Sequence, residues 1–108
     1  MNNKYIEITD ENFEKEVLQA AQPAVIDFYA DWCGPCKMIE RVFENILDEY
    51  EGKIRFGKVN VDDQKKLAIQ HQVANIPTVL FYKDGEQVDR VTGLIDEAQL
   101  KERLDRLI

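Results

Sequence analysis

Cysteine, proline and glycine are scarce in this 108-residue chain, and each shortage excludes a class of protein. Two cysteines are too few for the disulfide framework of a small secreted domain. Three prolines, five glycines and 44% hydrophobic residues exclude a low-complexity or disordered segment. No apolar run approaches the roughly 18 residues of a membrane span, and residues 1–7 lack the apolar stretch of a signal peptide. We therefore expect one globular domain over residues 1–108 in a reducing cytoplasm, with no membrane partner.

Basic residues are also in the minority. Fourteen Lys and Arg stand against 21 Asp and Glu, so the net charge is −7 and the isoelectric point is near 4.7. Such a surface repels phosphate backbones and anionic lipids, which makes nucleic acid an unfavourable partner. Nothing in the composition requires an oligomer, and we expect a monomer.

The apolar residues alternate between helical and strand periods in a pattern that predicts the order βαβαβαββα. The predicted segments are a strand at 5–8, a helix ending before Pro23, a strand at 24–30, a helix from Cys36 to about Tyr50, a strand at 54–61, a helix at 64–72, strands at 78–82 and after Asp84-Gly85, and a helix from Asp96. The short turn makes the last two strands antiparallel, whereas strands separated by helices are free to be parallel. The sheet is therefore expected to be mixed.

Three of the four predicted helices have a defined apolar face. The first, capped by Thr9 or Asp10, is expected to bury Phe13, Val17 and Leu18. The longest carries an unbroken stripe that ends before Gly52: Ile39, Val42, Phe43, Ile46, Leu47 and Tyr50. The last begins with a capping box of Asp96 and Gln99 and is expected to bury Leu100, Leu104 and Leu107.

The two cysteines stand three positions apart, as Cys33-Gly34-Pro35-Cys36. A bridge between them would close a ring too small to restrain the unfolded chain much, so the pair indicates chemistry more than scaffolding. Cys33 follows a strand and Cys36 begins the long helix, whose free N–H groups favour a thiolate at Cys33. We expect Cys33 to be the nucleophile, Cys36 to resolve the mixed disulfide, and Pro35 to stiffen the ring.

The alternative for this pair is half of a structural zinc site. Such a site needs four Cys or His ligands, and the chain has one histidine, His71, and no third cysteine. Only metal shared between two copies would complete it, so we expect no metal. His71 itself is expected on a helix surface.

Asp27 lies in the middle of the most apolar predicted strand. If it is buried, it holds its proton with a raised pKa and can accept a proton from the nearby thiols. If the strand is less buried than its composition indicates, Asp27 is a solvated residue at the edge, and its sequence alone leaves both readings open. Lys58, in the next strand, is placed to approach it.

Two further residues mark special positions. Pro77 stands where a strand begins and removes a ladder hydrogen bond, which marks an unusual backbone site. Trp32, the only tryptophan, precedes the nucleophile in a loop and is either a core anchor or an exposed docking residue. We favour the exposed docking role.

The segment Trp32-Cys33-Gly34-Pro35-Cys36-Lys37, preceded by Asp27-Phe28-Tyr29-Ala30 and followed by Ile76-Pro77-Thr78 and Gly93, resembles the thioredoxin family. The resemblance extends over essentially the whole chain. It implies the α/β thioredoxin fold, a five-stranded mixed sheet flanked by four helices, and general protein disulfide reductase activity in cell redox homeostasis. It also implies that Cys33 attacks the target disulfide and Cys36 releases the reduced target.

The same resemblance assigns the remaining site residues. It implies that Asp27 is a buried acid that helps to deprotonate Cys36, with Lys58 beside it, and that Gly34 and Pro35 tune the redox potential. It implies a cis bond at Pro77 and a docking surface of Trp32, Gly34, Pro35, Val61, Ile76, Pro77 and Gly93. No cofactor need be bound, since electrons reach the family from NADPH through thioredoxin reductase, a flavoprotein. The implied partners are that reductase and proteins that contain disulfides.

Three positions depart from the family pattern. Arg41 replaces a proline inside the long helix, so we predict a straighter helix. Asn75 and Tyr29 replace a small residue and a tryptophan, which affects partner preference more than chemistry. A binding or assembly subunit that uses the same apolar surface without turnover is the alternative function, and a third possibility is an oxidase or isomerase, which the Gly-Pro pair disfavours by resemblance.

Overall fold

The computed structural model describes residues 5–108. The expectation that residues 1–7 lack a signal peptide falls partly on residues 1–4, which lie outside the described residues. The strands are β1 (Tyr5–Glu7), β2 (Ala24–Tyr29), β3 (Arg55–Asn60), β4 (Thr78–Lys83) and β5 (Glu86–Thr92). The helices are a π-helical turn (Glu14–Leu18), α1 (Gly34–Ile46), α2 (Lys65–Gln70) and α3 (Glu97–Asp105), and a 3₁₀ turn (Leu47–Tyr50) extends α1. The predicted order βαβαβαββα is confirmed.

The five strands form one mixed sheet in the order β1-β3-β2-β4-β5. The strands β1, β3 and β2 are parallel, whereas β4 is antiparallel to both β2 and β5. The Asp84-Gly85 turn between β4 and β5 has positive φ angles of 54° and 80° at its two residues, as the tight hairpin predicted there requires. This arrangement confirms the mixed sheet and puts β2 at its centre.

Side chains of β2 alternate between two apolar cores, one on each face of the sheet. Val25 packs with Phe43 of α1 and Leu104 of α3 on one face. Ile26 packs with Val17 and Leu67 on the other face. Because Asp27 follows Val25 by two positions, it lies on the face that α1 covers. The strand is therefore buried on both faces, as its composition predicts.

The first helix differs from the prediction. It is a π-helical turn of five residues, preceded by Thr9, whose hydroxyl accepts the N–H groups of Glu11 and Asn12 at 3.3 and 3.4 Å. Val17 is buried, but Leu18 is 37% exposed, so its predicted burial is wrong. A segment this short presents too narrow a face to bury adjacent positions such as 17 and 18 together.

The long helix follows the predicted apolar stripe but ends earlier as an α-helix. Cys36, Ile39, Phe43 and Ile46 are buried along α1, and the chain then tightens into the 3₁₀ turn that buries Tyr50. The helix runs unbroken through Arg41. The straighter axis expected there stays a prediction.

The closing helix agrees with its prediction in detail. The Asp96 carboxylate accepts the Gln99 N–H at 2.8 Å, and the Gln99 side chain accepts the Asp96 N–H, which completes the capping box. Leu100, Leu104 and Leu107 are buried. Within residues 5–108, no helix has both the length and the apolar character to cross a membrane.

Candidate active site

The cysteine pair lies where the loop after β2 enters α1. Cys33 is the N-cap residue of the helix, Cys36 lies in the first turn, and the two form a disulfide with their Cα atoms 5.3 Å apart. The Cys36 N–H donates a hydrogen bond to Cys33 Sγ over 3.2 Å. Pro35 fits this turn because an N–H at that position has no partner within the helix. The helix start therefore directs a backbone donor at the sulfur of Cys33.

Three segments that are distant in sequence meet at the cysteines. Val61, which follows β3, and Ile76, which precedes β4, pack against the cluster of Ala30, Cys33 and Cys36. The Ile76-Pro77 bond is cis, as the resemblance implies. The Gly93 N–H donates to the Pro77 carbonyl over 2.8 Å. Both cysteines are buried beneath these apolar side chains, with 5% of Cys33 and 3% of Cys36 exposed.

The two glycines assigned to the docking surface border open space. An ideal Cβ built at Gly34 or at Gly93 would meet no atom within 4 Å. Gly93 has a φ of +95°, a region that residues with a side chain rarely adopt. The backbone at these positions is therefore accessible to an approaching chain.

Trp32 is 71% exposed, so the core-anchor interpretation is wrong. Its indole N–H donates to the Asp62 carboxylate over 2.8 Å. Asp62 is held in turn, because its backbone N–H donates to the Asn60 side chain over 2.9 Å. The indole is thus fixed beside Cys33 with most of its surface open to solvent, and its docking role stays a prediction.

Asp27 is 1% exposed, so the interpretation as a solvated edge residue is wrong. The Tyr5 hydroxyl donates to Asp27 Oδ2 over 2.9 Å, and Oδ1 has no hydrogen-bond partner among residues 5–108. Burial raises the pKa of Asp27 to about 7, and the negative charge of Glu40 acts in the same direction. The Tyr5 hydrogen bond and the positive charge of Lys58 oppose this rise. The carboxyl group therefore titrates near neutral pH.

Lys58 lies beside Asp27 because the parallel pairing of β2 with β3 sets the two residues opposite each other. Its ammonium group lies 5.0 Å and 5.5 Å from the ring centroids of Tyr5 and Tyr29, and 3.9 Å from Glu40 Oε2. The predicted proximity to Asp27 is correct. The ion pair found for Lys58 within the described residues, however, is with Glu40.

Sequence reasoning missed Tyr5 and Glu40. Tyr5 is separated from Asp27 by 22 positions, and only the pairing of β1 with β3 brings its hydroxyl to the carboxylate. Glu40 stands one helical turn after Cys36, and this spacing was the available signal that its charge lies near the pair. A cleft of about 390 Å³ beside α1 is lined by both Cys36 and Glu40.

His71 does not lie on the helix surface, so that prediction is wrong. Its half-buried ring lies 4.9 Å from Phe13 and 5.8 Å from Phe28 between ring centroids, and Nδ1 is 2.8 Å from the Leu67 carbonyl oxygen. The long-range contact with Phe13 covers the ring. Residues 5–108 contain no group of three or more His, Cys, Asp or Glu side chains placed to hold a metal ion.

Comparison with known proteins agrees with this geometry. The family model for thioredoxin matches residues 4–106. Thioredoxin 2 of Chlorobaculum tepidum is 41% identical over 108 residues, which cover 100% of this chain and 99% of that protein. Thioredoxin 1 of Nostoc sp. is 40% identical over 100 residues, which cover 93% of this chain and 94% of that protein. The chain belongs to the thioredoxin family, and its cysteine pair makes it a thiol-disulfide oxidoreductase that reduces protein disulfides.

Proposed function

We propose that this single domain is a general protein disulfide reductase that cycles between a Cys33–Cys36 dithiol and disulfide, donating electrons to many targets and maintaining redox homeostasis in the cytoplasm. One observation carries the proposal: Cys33 caps α1 and its sulfur accepts the Cys36 N–H. A backbone donor and the positive end of the helix favour negative charge on that sulfur. Cys33 is therefore the attacking thiolate.

The reaction has two exchange steps. The Cys33 thiolate attacks a target disulfide, forms a mixed disulfide with one target sulfur and expels the other as a thiolate, which takes up a proton. Cys36 then attacks Cys33 Sγ, the bond between Cys33 and the target breaks, and the second target thiolate leaves. Two electrons pass from the dithiol to the target, and the Cys33–Cys36 disulfide remains.

Asp27 acts as the base for the second step. Its carboxyl group is buried on the face of the sheet that α1 covers, and its pKa of about 7 lets it gain or lose a proton near neutral pH. Lys58 stands opposite Asp27 and favours its charged form. The pair supplies a proton acceptor that is present when Cys36 must ionise.

Target proteins dock on the apolar surface around the cysteines. Its members are Trp32, Gly34, Pro35, Val61, Ile76, Pro77 and Gly93. Ile76 and Val61 pack beside the sulfurs, and the backbone before the cis proline is available to pair with an extended target segment. Gly34 and Pro35, which separate the cysteines, tune the redox potential.

The oxidised protein is recharged by a thioredoxin reductase that passes electrons from NADPH through a flavin. The chain itself carries no bound cofactor in this scheme, since the cysteine pair holds the two electrons. It works as a monomer in electron transport to disulfide-containing proteins.

Trapping of the mixed disulfide tests the mechanism. Cys36→Ser should accumulate a covalent complex with a disulfide-bonded model protein, because Cys33 still attacks and nothing releases it. Cys33→Ser should form no such complex and should lose turnover. A Cys36→Ser protein that forms no complex would refute the assigned order of attack. A double serine variant that keeps its full biological effect would favour the binding-subunit alternative.

The reduction potential tests the direction of electron flow. Equilibration in graded thiol-disulfide buffers, followed by Trp32 fluorescence, should give a value near the approximately −270 mV characteristic of thioredoxin itself. A value near about −120 mV would indicate a disulfide donor instead.

A further inference from the structure

Tyr5 is the only residue in the described part of the chain that hydrogen-bonds to the Asp27 side chain. Its hydroxyl donates to Oδ2 over 2.9 Å, and the ring is 7% exposed. The contact crosses the sheet: β1 pairs with β3 and β3 pairs with β2, so that Tyr5, Phe56 and Val25 share one row of the register. The hydroxyl reaches from this row to Asp27, two positions further along β2.

The position of this hydroxyl is set by the groups that pack against its ring. The Phe43 ring of α1 lies 5.6 Å from the Tyr5 ring between centroids, and the Lys58 ammonium lies 5.0 Å from the Tyr5 centroid. A buried hydroxyl held between a helix and a strand has little freedom to seek another acceptor. Oδ2 of Asp27 is therefore engaged, whereas Oδ1 has no partner within residues 5–108.

The charged neighbours of Asp27 act without such a directed contact. Lys58 from β3 favours the ionised carboxylate, and Glu40 from α1 disfavours it. The two are themselves paired at 3.9 Å, so their effects partly cancel. Tyr29 at the end of β2 donates its hydroxyl to Glu7 instead, at 3.1 Å. The Tyr5 hydroxyl is thus the group that distinguishes one carboxylate oxygen from the other.

We propose that Tyr5 is a positioning residue: by holding Oδ2, it leaves Oδ1 of Asp27 as the oxygen that exchanges a proton with the Cys36 thiol. The inference rests on the proposed role of Asp27 in the release step. As the Cys36 sulfur attacks Cys33 Sγ, its proton moves to Oδ1, directly or through a water molecule. The bond from Cys33 to the target breaks, and the target leaves as a thiolate that takes a proton from solvent. The reductase then regenerates the dithiol.

Tyr5→Phe tests the inference because it removes the hydroxyl and keeps the ring that packs against Phe43 and Lys58. Loss of a hydrogen bond to the charged form raises the pKa of Asp27, by about one pH unit for a contact of this kind. The pH midpoint of mixed-disulfide release, measured in single-turnover experiments, should move upward by the same amount. Release at pH 7 should slow about fivefold, since the ionised fraction falls from roughly half to roughly a tenth.

Tyr50→Phe is the matched control. It removes the hydroxyl of another buried tyrosine, which donates to the Asp105 carboxylate over 2.7 Å and lies outside the proposed site. Its release profile should match that of the parent. If the loss of any tyrosine–aspartate hydrogen bond altered release through a general structural effect, both variants would change alike.

Asp27→Asn separates failure of this inference from failure of the base mechanism. If the release profile keeps its inflection in Asp27→Asn, Asp27 is not the base. If that inflection disappears but Tyr5→Phe leaves the parent profile unchanged, Tyr5 does not position the carboxylate. Should Tyr5→Phe fail to fold, Tyr5→3-fluorotyrosine keeps the shape and strengthens the donor. It should lower the pKa of Asp27, followed by ¹³C NMR of the carboxyl carbon, and an unchanged value would overturn the proposal.

Discussion

At the scale of single residues, Asp27 links stability to pH. Burial raises its pKa from 3.8 to about 7 in the folded protein. Above pH 4 the unfolded chain loses this proton while the folded chain retains it. The buried carboxyl group therefore lowers the free energy of unfolding, by an amount that grows up to about pH 7 and is constant above it. The full cost is on the order of 4 kcal/mol.

Asp27→Asn should therefore raise the free energy of unfolding at pH 8 and lose this advantage at pH 4. Asparagine keeps an acceptor for the Tyr5 hydroxyl and cannot ionise. Asp27→Ala also removes the buried carboxyl group and should be stabilising at pH 8, but it should gain less because it leaves that hydroxyl without an acceptor. Urea unfolding at both pH values measures the difference, and a less stable Asp27→Asn at pH 8 would contradict the burial argument.

Glu40 provides a second residue-scale prediction. Its negative charge raises the pKa of Asp27, and it also pairs with Lys58, whose positive charge lowers that pKa. Glu40→Gln removes the anion and releases the cation, so the pKa of Asp27 should fall below about 7 and release should become faster at pH 6. Glu44→Gln, which alters the same cleft one turn further along α1, is the control and should leave the pKa unchanged. Carboxyl NMR titration compares the two.

The burial and contacts of single side chains could be predicted from the sequence only where they do not depend on distant segments of the chain. The burial of Asp27 was one of two open interpretations until the resemblance to a family was added, and the fold settles it. Tyr5 was missed because its contact depends on the register of three strands. His71 was misplaced because Phe13, 58 positions earlier, covers its ring. Neither contact has a local signature.

At the scale of elements, helix ends were predicted better than short helices. The capping box at Asp96 and Gln99 lies within four consecutive residues, so the sequence specifies it completely. The segment after β1 also has a cap, at Thr9, yet it forms five residues of π-helix instead of the α-helix expected there. Its conformation depends on packing under the sheet, which periodicity alone does not describe.

The hairpin turn supports a matched prediction about two glycines. Gly85 and Gly52 have φ angles of +80° and +78°, so alanine is strained equally at both. A Cβ at Gly85 would lie 2.9 Å from the Leu18 carbonyl oxygen, whereas a Cβ at Gly52 would meet nothing within 4 Å. Gly52→Ala should cost about 1 kcal/mol and Gly85→Ala clearly more, as measured by urea unfolding. Equal losses would show that the Leu18 backbone moves aside freely.

At the scale of the whole molecule, the net charge of −7 opposes compaction. The radius of gyration is 12.5 Å, which is smaller than the Debye length of about 30 Å at 0.01 M salt and larger than the roughly 8 Å at 0.15 M. Sodium chloride should therefore raise the free energy of unfolding between these concentrations at pH 7. Near pH 4.7, where the net charge is close to zero, the effect should disappear. A loss of stability with salt at pH 7 would mean that surface ion pairs outweigh the net repulsion.

The central position of β2 has a consequence for biosynthesis. Both neighbours of β2 lie later in the chain, and so do Val61 and Ile76, which cover the cysteines. During translation, Cys33 and Cys36 emerge from the ribosome before any of these segments does. The nascent chain thus exposes a pair of reactive thiols that the finished protein shields. Correct folding therefore depends on a reducing environment until β4 is in place.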